Sequence, residues 1–353
     1  MITFQKAEII TNLIQDVSKI IFFSSPIGLG HATRDISIAR YLDKTSTKFV
    51  SGQEAPKLFS EYGFDAENAY HPPPFAIHDG KLQNPLRWLY KYYSYYRKCK
   101  TISSGIIEKE KPDLILSDED FASLAIGQEK KLKTVLITDI LETRFVSGLG
   151  SLIEKKMNHS MKEIIQKCDL VILPENGPDE GNIRRVGPIV RSTMHPRDEL
   201  RKNFSFNKKT IVVSIGGTAA GKFLIDKVID SFEKIKLDAE LVIVSGPALK
   251  IDNDNIRNLG FVNNLHEIIY AADLVISLAG KSTIHESRHY GTPGIFIPIK
   301  GHFEQEENAK EMGFSFDDLF RLESLIPEKI NQKRIQANFN GAQKAANLIK
   351  ELL

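Results

Sequence analysis

The sequence predicts an α/β protein built as two parallel-sheet lobes, and three observations carry that expectation. Short β-branched runs alternate with segments of helical length along the chain, the alternation starts afresh near residue 210, and each half has its own glycine-bearing strand-to-helix turn, SPIGLGH in the first and SIGGTAAGK in the second. Such alternation implies right-handed βαβ units and a parallel sheet covered on both faces. A chain of 353 residues is long for one core and sufficient for two.

In the first half, KIIFFSS (19–25), KFVSG (48–52), DLILSD (113–118), KTVLITD (133–139) and DLVILP (169–174) read as buried strands. ATRDISIARYL and the stretch from Pro85 to Glu110 have helical length. Strands resume at TIVVSIGG (210–217), ELVIVSG (240–246), NIRNLGF (255–261), DLVISLAG (273–280) and PGIFIPI (293–299). Between the halves, residues 187–209 are rich in proline and charge without an apolar period, which marks a join. The division is a first lobe over 1–190, a linker over 191–208, a second lobe over 209–330 and a terminal helix over 331–353 that is expected to pack back on the first lobe. That last stretch, RIQANFNGAQKAANLIKELL, has an amphipathic helical pattern.

Hydrophobic residues make up 42% and charged residues 26%, as in ordinary soluble proteins. A net charge of +2 gives no field to hold nucleic acid, and no reading motif for it occurs. Cys99 and Cys168 lack metal-ligand or C-x-x-C spacing and read as reduced bystander thiols. Residues 1–18 carry Lys6, Glu8 and Asp16 and no small-residue cleavage site after an apolar run, so no secretory signal is expected. Apolar stretches such as TVLIT are too short to cross a bilayer, and a cytoplasmic protein, soluble or peripheral to the membrane, is the expectation.

A glycine turn after a parallel strand aims free backbone N–H groups and a helix dipole at an anion. In SIGGTAAGK, Gly216 and Gly217 allow close backbone approach and Thr218 adds a hydroxyl, but the P-loop spacing fails and so does a full G-x-G-x-x-G. Taken alone, a glycine turn is as well explained by bending. In SPIGLGH, with Gly28 and Gly30, the turn delivers His31 to a helix start at the carboxyl edge of the first strand, where open α/β sheets bind ligands. A neutral imidazole there can accept a proton from a hydroxyl, although a helix-start histidine taken singly is more often a solvated cap.

Residues 278–309, LAGKSTIHESRHYGTPGIFIPIKGHFEQEENA, are more informative. Gly280, Lys281, Ser282 and Thr283 open a helix after a strand. Glu286 follows Thr283 by about one turn, and its carboxylate can accept from two vicinal hydroxyls. A strand ending at Pro298 then leads to Glu304, Gln305 and Asn308, polar groups suited to sugar hydroxyls. A solvated helix face explains Glu286 alone, and an ordinary loop amide explains Gln305 alone. Their order is the signal.

That order resembles the donor signature of the GT-B glycosyltransferases that use UDP-sugars, the MurG-like and UDP-glucosyl/glucuronosyl transferases. Gly280, Thr283 and Glu286 meet its G-x-x-[ST]-x-x-E pattern, and Glu304, Gln305, Asn308 and Ala309 its [DE]-Q-x-x-N-A pattern. GLGH, PDLILSD and RRVGPIVR resemble further family segments, so the likeness runs from about Lys19 to Gly313. GLGH lacks the double glycine of the MurG-like turn, and Lys281 stands where plant members carry an aromatic.

The resemblance implies two Rossmann-like domains facing across a cleft, and an inverting transferase that needs no metal and no cofactor beyond its UDP-sugar co-substrate. By that likeness Glu286 holds the ribose, and Gly280, Ser282, Thr283, Gly216, Gly217 and Thr218 meet the diphosphate. Val262 sits beside the base, and Glu304 and Gln305 read the sugar. His31 is the general base or orients the acceptor, with Asp118, or its neighbours Glu119 or Asp120, orienting it. The nucleotide is expected to be UDP carrying a hexose or N-acetylhexosamine.

The acceptor is less defined. LRWLYKYYSYYRKCK (86–100) combines Trp88 and five tyrosines with cations, which suits a membrane interface or sugar stacking and a lipid-linked acceptor. A buried helix with its tyrosines in the core is the slightly favoured alternative. RFVSGLGSLIEK (144–155) reads as a candidate acceptor loop. Two other functions share the features: a UDP-N-acetylglucosamine 2-epimerase of the same architecture, which the GLGH histidine argues against, and a non-catalytic nucleotide-sugar-binding subunit.

Overall fold

A computed structural model describes residues 18–144, 151–216, 219–246 and 256–353. All but the last residue of the 1–18 leader reading, and residues 145–150 of the 144–155 loop reading, fall outside them.

The first lobe holds strands β1 (Ile20–Ser24), β2 (Thr47–Gly52), β3 (Asp65–Tyr70), β4 (Ala76–His78), β5 (Lys81–Gln83), β6 (Leu114–Asp118), β7 (Lys133–Ile137), β8 (Leu170–Leu173) and β9 (Ile183–Arg185). Seven of them form a parallel sheet in the order β3-β2-β1-β6-β7-β8-β9, while β4 and β5 form a separate hairpin. The second lobe holds β10 (Lys209–Ser214), β11 (Ala239–Val244), β12 (Arg257–Asn258), β13 (Leu274–Leu278) and β14 (Gly294–Ile297), a parallel sheet in the order β12-β11-β10-β13-β14. Central strands are continuous apolar runs because helices cover both faces. Ile21, Phe22 and Phe23 of β1 are fully buried, each contributing roughly 1.5–3 kcal/mol.

Five strands depart from the sequence reading. β3, with the sequence DAENAY, is a polar edge strand with no β-branched run. The β4–β5 hairpin and short β9 lack one too. The strand expected over 255–261 is reduced to Arg257–Asn258 among the described residues.

The lobes are tied together at several points. The β4–β5 hairpin of the first lobe reaches the second, where Leu82 donates its N–H to the Lys300 carbonyl at 2.9 Å and Lys300 donates to the Gly80 carbonyl at 2.8 Å. The terminal helix Gly341–Lys350 enters the first lobe's core through Ala342, Ala345, Ala346 and Ile349, beside Ile36, Val186 and Ile189. Gly341 permits this approach, since a Cβ there would lie 2.4 Å from the Gly187 carbonyl oxygen.

Candidate functional site

Connections leave β1 and β6 in opposite directions, so their carboxyl ends open a crevice in the first sheet, and β10 and β13 do the same in the second. The two crevices carry most of the residues singled out in the sequence. Gly28, at φ 80°, turns the chain after β1 into the helix Gly30–Ala39, which presents His31. Asp118 is the last residue of β6 and fully buried. His31 Nδ1 lies 2.9 Å from Asp118 Oδ1.

The three neighbouring acids have separate roles in the structure. Asp118 faces Nδ1 of the histidine. Glu119 takes a left-handed φ of 55°, costing roughly 1–2 kcal/mol for a residue with a Cβ. Its Oε2 stands 3.8 Å from His31 Nε2, while Oε1 accepts from Thr138 Oγ1 at 3.1 Å and the Asp139 N–H at 2.9 Å. Asp120 caps the helix Phe121–Glu129, accepting from the N–H groups of Ala122 and Ser123, and accepts from the Tyr70 hydroxyl at 2.9 Å. Arg34, one turn beyond His31, was not singled out from sequence. It donates to both oxygens of Asp118, at 2.8 and 2.5 Å, and to Asp139 at 2.5 Å. The i, i+3 spacing from His31 was the available signal.

In the second lobe, Gly280 begins the helix Lys281–Tyr290 without a side-chain cap, leaving its first N–H groups free of one. Ser282 Oγ donates across the cleft to the Gly30 carbonyl at 3.2 Å, so the two glycine turns touch. Lys281 Nζ lies 3.8 Å from Asp139 Oδ1 of the first lobe. Thr283 is half-buried on the next position. Gly216, at φ 76°, follows β10 and is exposed, whereas Gly217 and Thr218 lie outside the described residues.

Other residues are more committed to the protein than the sequence suggested. Glu286 is buried against Arg191, which donates to its two oxygens at 2.7 and 3.2 Å and to the Asn263 carbonyl at 2.8 Å. Val262, the neighbour of Asn263, packs on the cluster of Leu200, Phe206 and Val212. Gln305 Oε1 accepts the Ile299 N–H at 3.1 Å, and Asn308 Nδ2 donates to the Ala279 carbonyl at 3.1 Å. Half of the acid–amide motif therefore braces the β13 and β14 turns, leaving the Gln305 amide N–H groups and the half-buried Glu304 for other partners.

Charge is concentrated where the lobes meet. Burial pushes the His31 imidazole down, but Asp118 and Glu119 outweigh it and raise it to about 9. Burial likewise opposes ionisation of Asp118, yet Arg34 and His31 hold it well below the usual carboxylate range. Burial raises Glu119. Glu304 is raised to about 7 by burial and by facing Glu119 and Asp139. His31, Asp118 and Glu119 offer donor atoms within 4.8 Å of one another. Arg34 already occupies both Asp118 oxygens, so a cation there would have to displace a guanidinium.

Two parallel-sheet lobes face each other, with a histidine–carboxylate pair opposite a helix N-terminus. The glycosyltransferase family 28 C-terminal domain matches residues 210–351. An uncharacterized glycosyltransferase of Methanosarcina acetivorans is 25% identical over 318 residues, 82% of each chain. The UDP-N-acetylglucosamine–N-acetylmuramyl-(pentapeptide) pyrophosphoryl-undecaprenol N-acetylglucosamine transferase of Staphylococcus saprophyticus is 24% identical, covering 92% of each chain. Among solved structures, the glycotransferase of kitacinnamycin superposes with a TM-score of 0.63 at 13% identity, covering 95% of this chain and 99% of its own. A putative UDP-N-acetylglucosamine 2-epimerase from Listeria monocytogenes gives 0.57 at 12%, covering 95% and 96%, so the fold alone does not separate the two chemistries. The chain has the two-lobed GT-B fold, and its second lobe with the terminal helix matches the glycosyltransferase family 28 C-terminal domain.

Proposed function

We propose that the chain is an inverting, metal-independent transferase that moves a hexose or N-acetylhexosamine from a UDP-sugar to an acceptor hydroxyl. The observation that supports this best is the contact between the two glycine turns, which brings His31 with Asp118 to the N-terminus of the Lys281–Tyr290 helix. In this reading His31 Nε2 takes the acceptor proton as the hydroxyl attacks the anomeric carbon. The departing diphosphate gathers charge, which the N–H groups near Gly280, Ser282 and Thr283 receive. Gly216, after β10, is assigned to the same phosphates, as the family resemblance assigns Gly217 and Thr218. Lys281 adds a cation at a helix end where the dipole disfavours one, so an anion there is doubly stabilised. Glu286, held by Arg191, keeps carboxylate lone pairs for the ribose hydroxyls, Val262 meets the base, and Glu304 with Gln305 binds the sugar.

The acceptor reading is a lipid-linked hydroxyl reached at a membrane surface, which would place the protein at the cytoplasmic face. On the helix Pro85–Glu110, Trp88 and Leu89 are buried, while Leu86, Tyr90 and Tyr93 are exposed beside exposed Arg87, Lys91, Arg97 and Lys98. The opposite side brings Tyr92 and Tyr95 to a crevice beside Glu119. Among the described residues no helix is long and apolar enough to cross a membrane. Aromatic rings with flanking cations suit an anionic interface. Sedimentation with phosphatidylglycerol vesicles checks this, and the Tyr90→Ser, Tyr93→Ser double variant is expected to stay in the supernatant.

Thermal shift with UDP-, GDP- and dTDP-sugars tests the donor reading, because a ligand that binds only the folded chain raises its apparent stability. UDP-sugars are expected to give the largest shift, His31→Ala to keep that shift while losing turnover, and Glu286→Ala to lose it. Epimerised UDP-sugar formed without acceptor would instead assign the chain to the epimerase chemistry.

A further inference from the structure

Arg34 is 5% exposed, and its guanidinium is fully engaged. Nε and Nη2 grip the two oxygens of Asp118 at 2.8 and 2.5 Å, and Nη1 reaches Asp139 at 2.5 Å. Nη2 also stands 3.2 Å from His31 Nδ1 and 4.0 Å from Glu119 Oε1. One planar fork thus joins the ends of β6 and β7 to the helix that carries His31.

The charged and titratable groups around His31 come from every packed element. Asp118 ends β6 and Glu119 follows it, Arg34 and Asp35 share the histidine's helix, and Asp139 follows β7. Lys281 and His285 approach from the second lobe's helix, as does Glu304 from the helix Phe303–Glu311. Among them Arg34 alone bonds both to Asp118 and across to Asp139.

We propose that Arg34 is the positioning residue of the transfer centre: it fixes Asp118 on the Nδ1 side of His31, leaves Nε2 for the acceptor, and neutralises Asp118 so that the imidazole can give up its proton. The inference rests on His31 acting as the base. A buried Asp118 without a counterion would hold the His31 proton more tightly, because an unscreened carboxylate favours the imidazolium. Arg34 opposes this twice. It pairs the carboxylate, and its own positive charge pushes the His31 imidazole down. A lysine does not replace it, since a single ammonium cannot span both Asp118 oxygens and Asp139.

The test is the His31 titration, followed by NMR of histidine-labelled protein with His31→Asn used to assign the signal. It runs beside the pH dependence of kcat/KM for UDP release from UDP-N-acetylglucosamine with water as acceptor. In Arg34→Gln both inflections are expected to move to higher pH, with kcat/KM at pH 7 falling about tenfold per unit moved and recovering in alkali. Arg34→Lys keeps the charge and the stem, so it serves if the glutamine variant fails to fold, and a smaller shift in the same direction is expected. A folded variant whose His31 titration is unmoved, or whose rate falls equally at every pH, overturns the proposal. A titration that moves while the rate inflection does not upholds Arg34 and removes His31 from the role of base.

Discussion

At the residue scale, the acids Asp118, Glu119 and Asp120 show where sequence reading stops. All three follow one strand and any could be paired with His31 on paper. The strand end, a left-handed Glu119 and a helix cap divide them, and none of these is legible in the letters SDED. His31 itself was legible, because a glycine turn after a strand fixes where the next side chain goes. Arg34 was not, because its meaning depends on β6 and β7 lying side by side. Glu119 faces Nε2 of His31, the nitrogen that takes the proton in the proposed transfer, and its charge raises His31. Glu119→Gln is therefore expected to lower the His31 titration and move the rise of kcat/KM to more acid pH. Asp120→Ala should leave that profile in place while costing about 1–2 kcal/mol of stability through its cap, read by urea unfolding.

At the element scale, the central strands announced themselves because burial on both faces demands continuous apolar runs. β3 and β9 did not, since an edge strand is half-covered and keeps polar residues. The helix Pro85–Glu110 split two readings between its faces, with Trp88 in the core and Tyr90 exposed. The Gln305 and Asn308 pair was legible as a motif, yet its backbone contacts to Ile299 and Ala279 needed the fold to be seen. The β4–β5 hairpin had no sequence signal beyond Asp79-Gly80, although it straps one lobe to the other. Gly80 sits at φ 73°, and a Cβ there would lie 2.8 Å from the rings of Phe223 and Phe316. Gly80→Ala combines backbone strain with overpacking and is expected to cost about 1–3 kcal/mol. Limited proteolysis should then cut the hairpin before any other first-lobe segment.

At the scale of the whole molecule, the two lobes meet through apolar contacts at the β4–β5 hairpin, where Ile77 and Leu82 pack on the second core, and through charge around His31. Lys281 and Asp139 attract across the cleft, whereas Glu304 confronts Glu119 and Asp139. Folding therefore favours a protonated Glu304, whose carboxyl is lifted from 4.5 to about 7. The sign follows from proton linkage: the folded protein binds this proton more tightly than the unfolded chain does. Its stabilising contribution is complete below about pH 4.5 and is lost as pH rises through about 7. Glutamine keeps the shape and cannot ionise. Glu304→Gln is thus expected to melt with the wild type at pH 4.5 and above it at pH 8, the gap widening steadily between. Calorimetry at the two pH values reads it, and an equal gap at both would mean that Glu304 meets solvent rather than the opposing carboxylates.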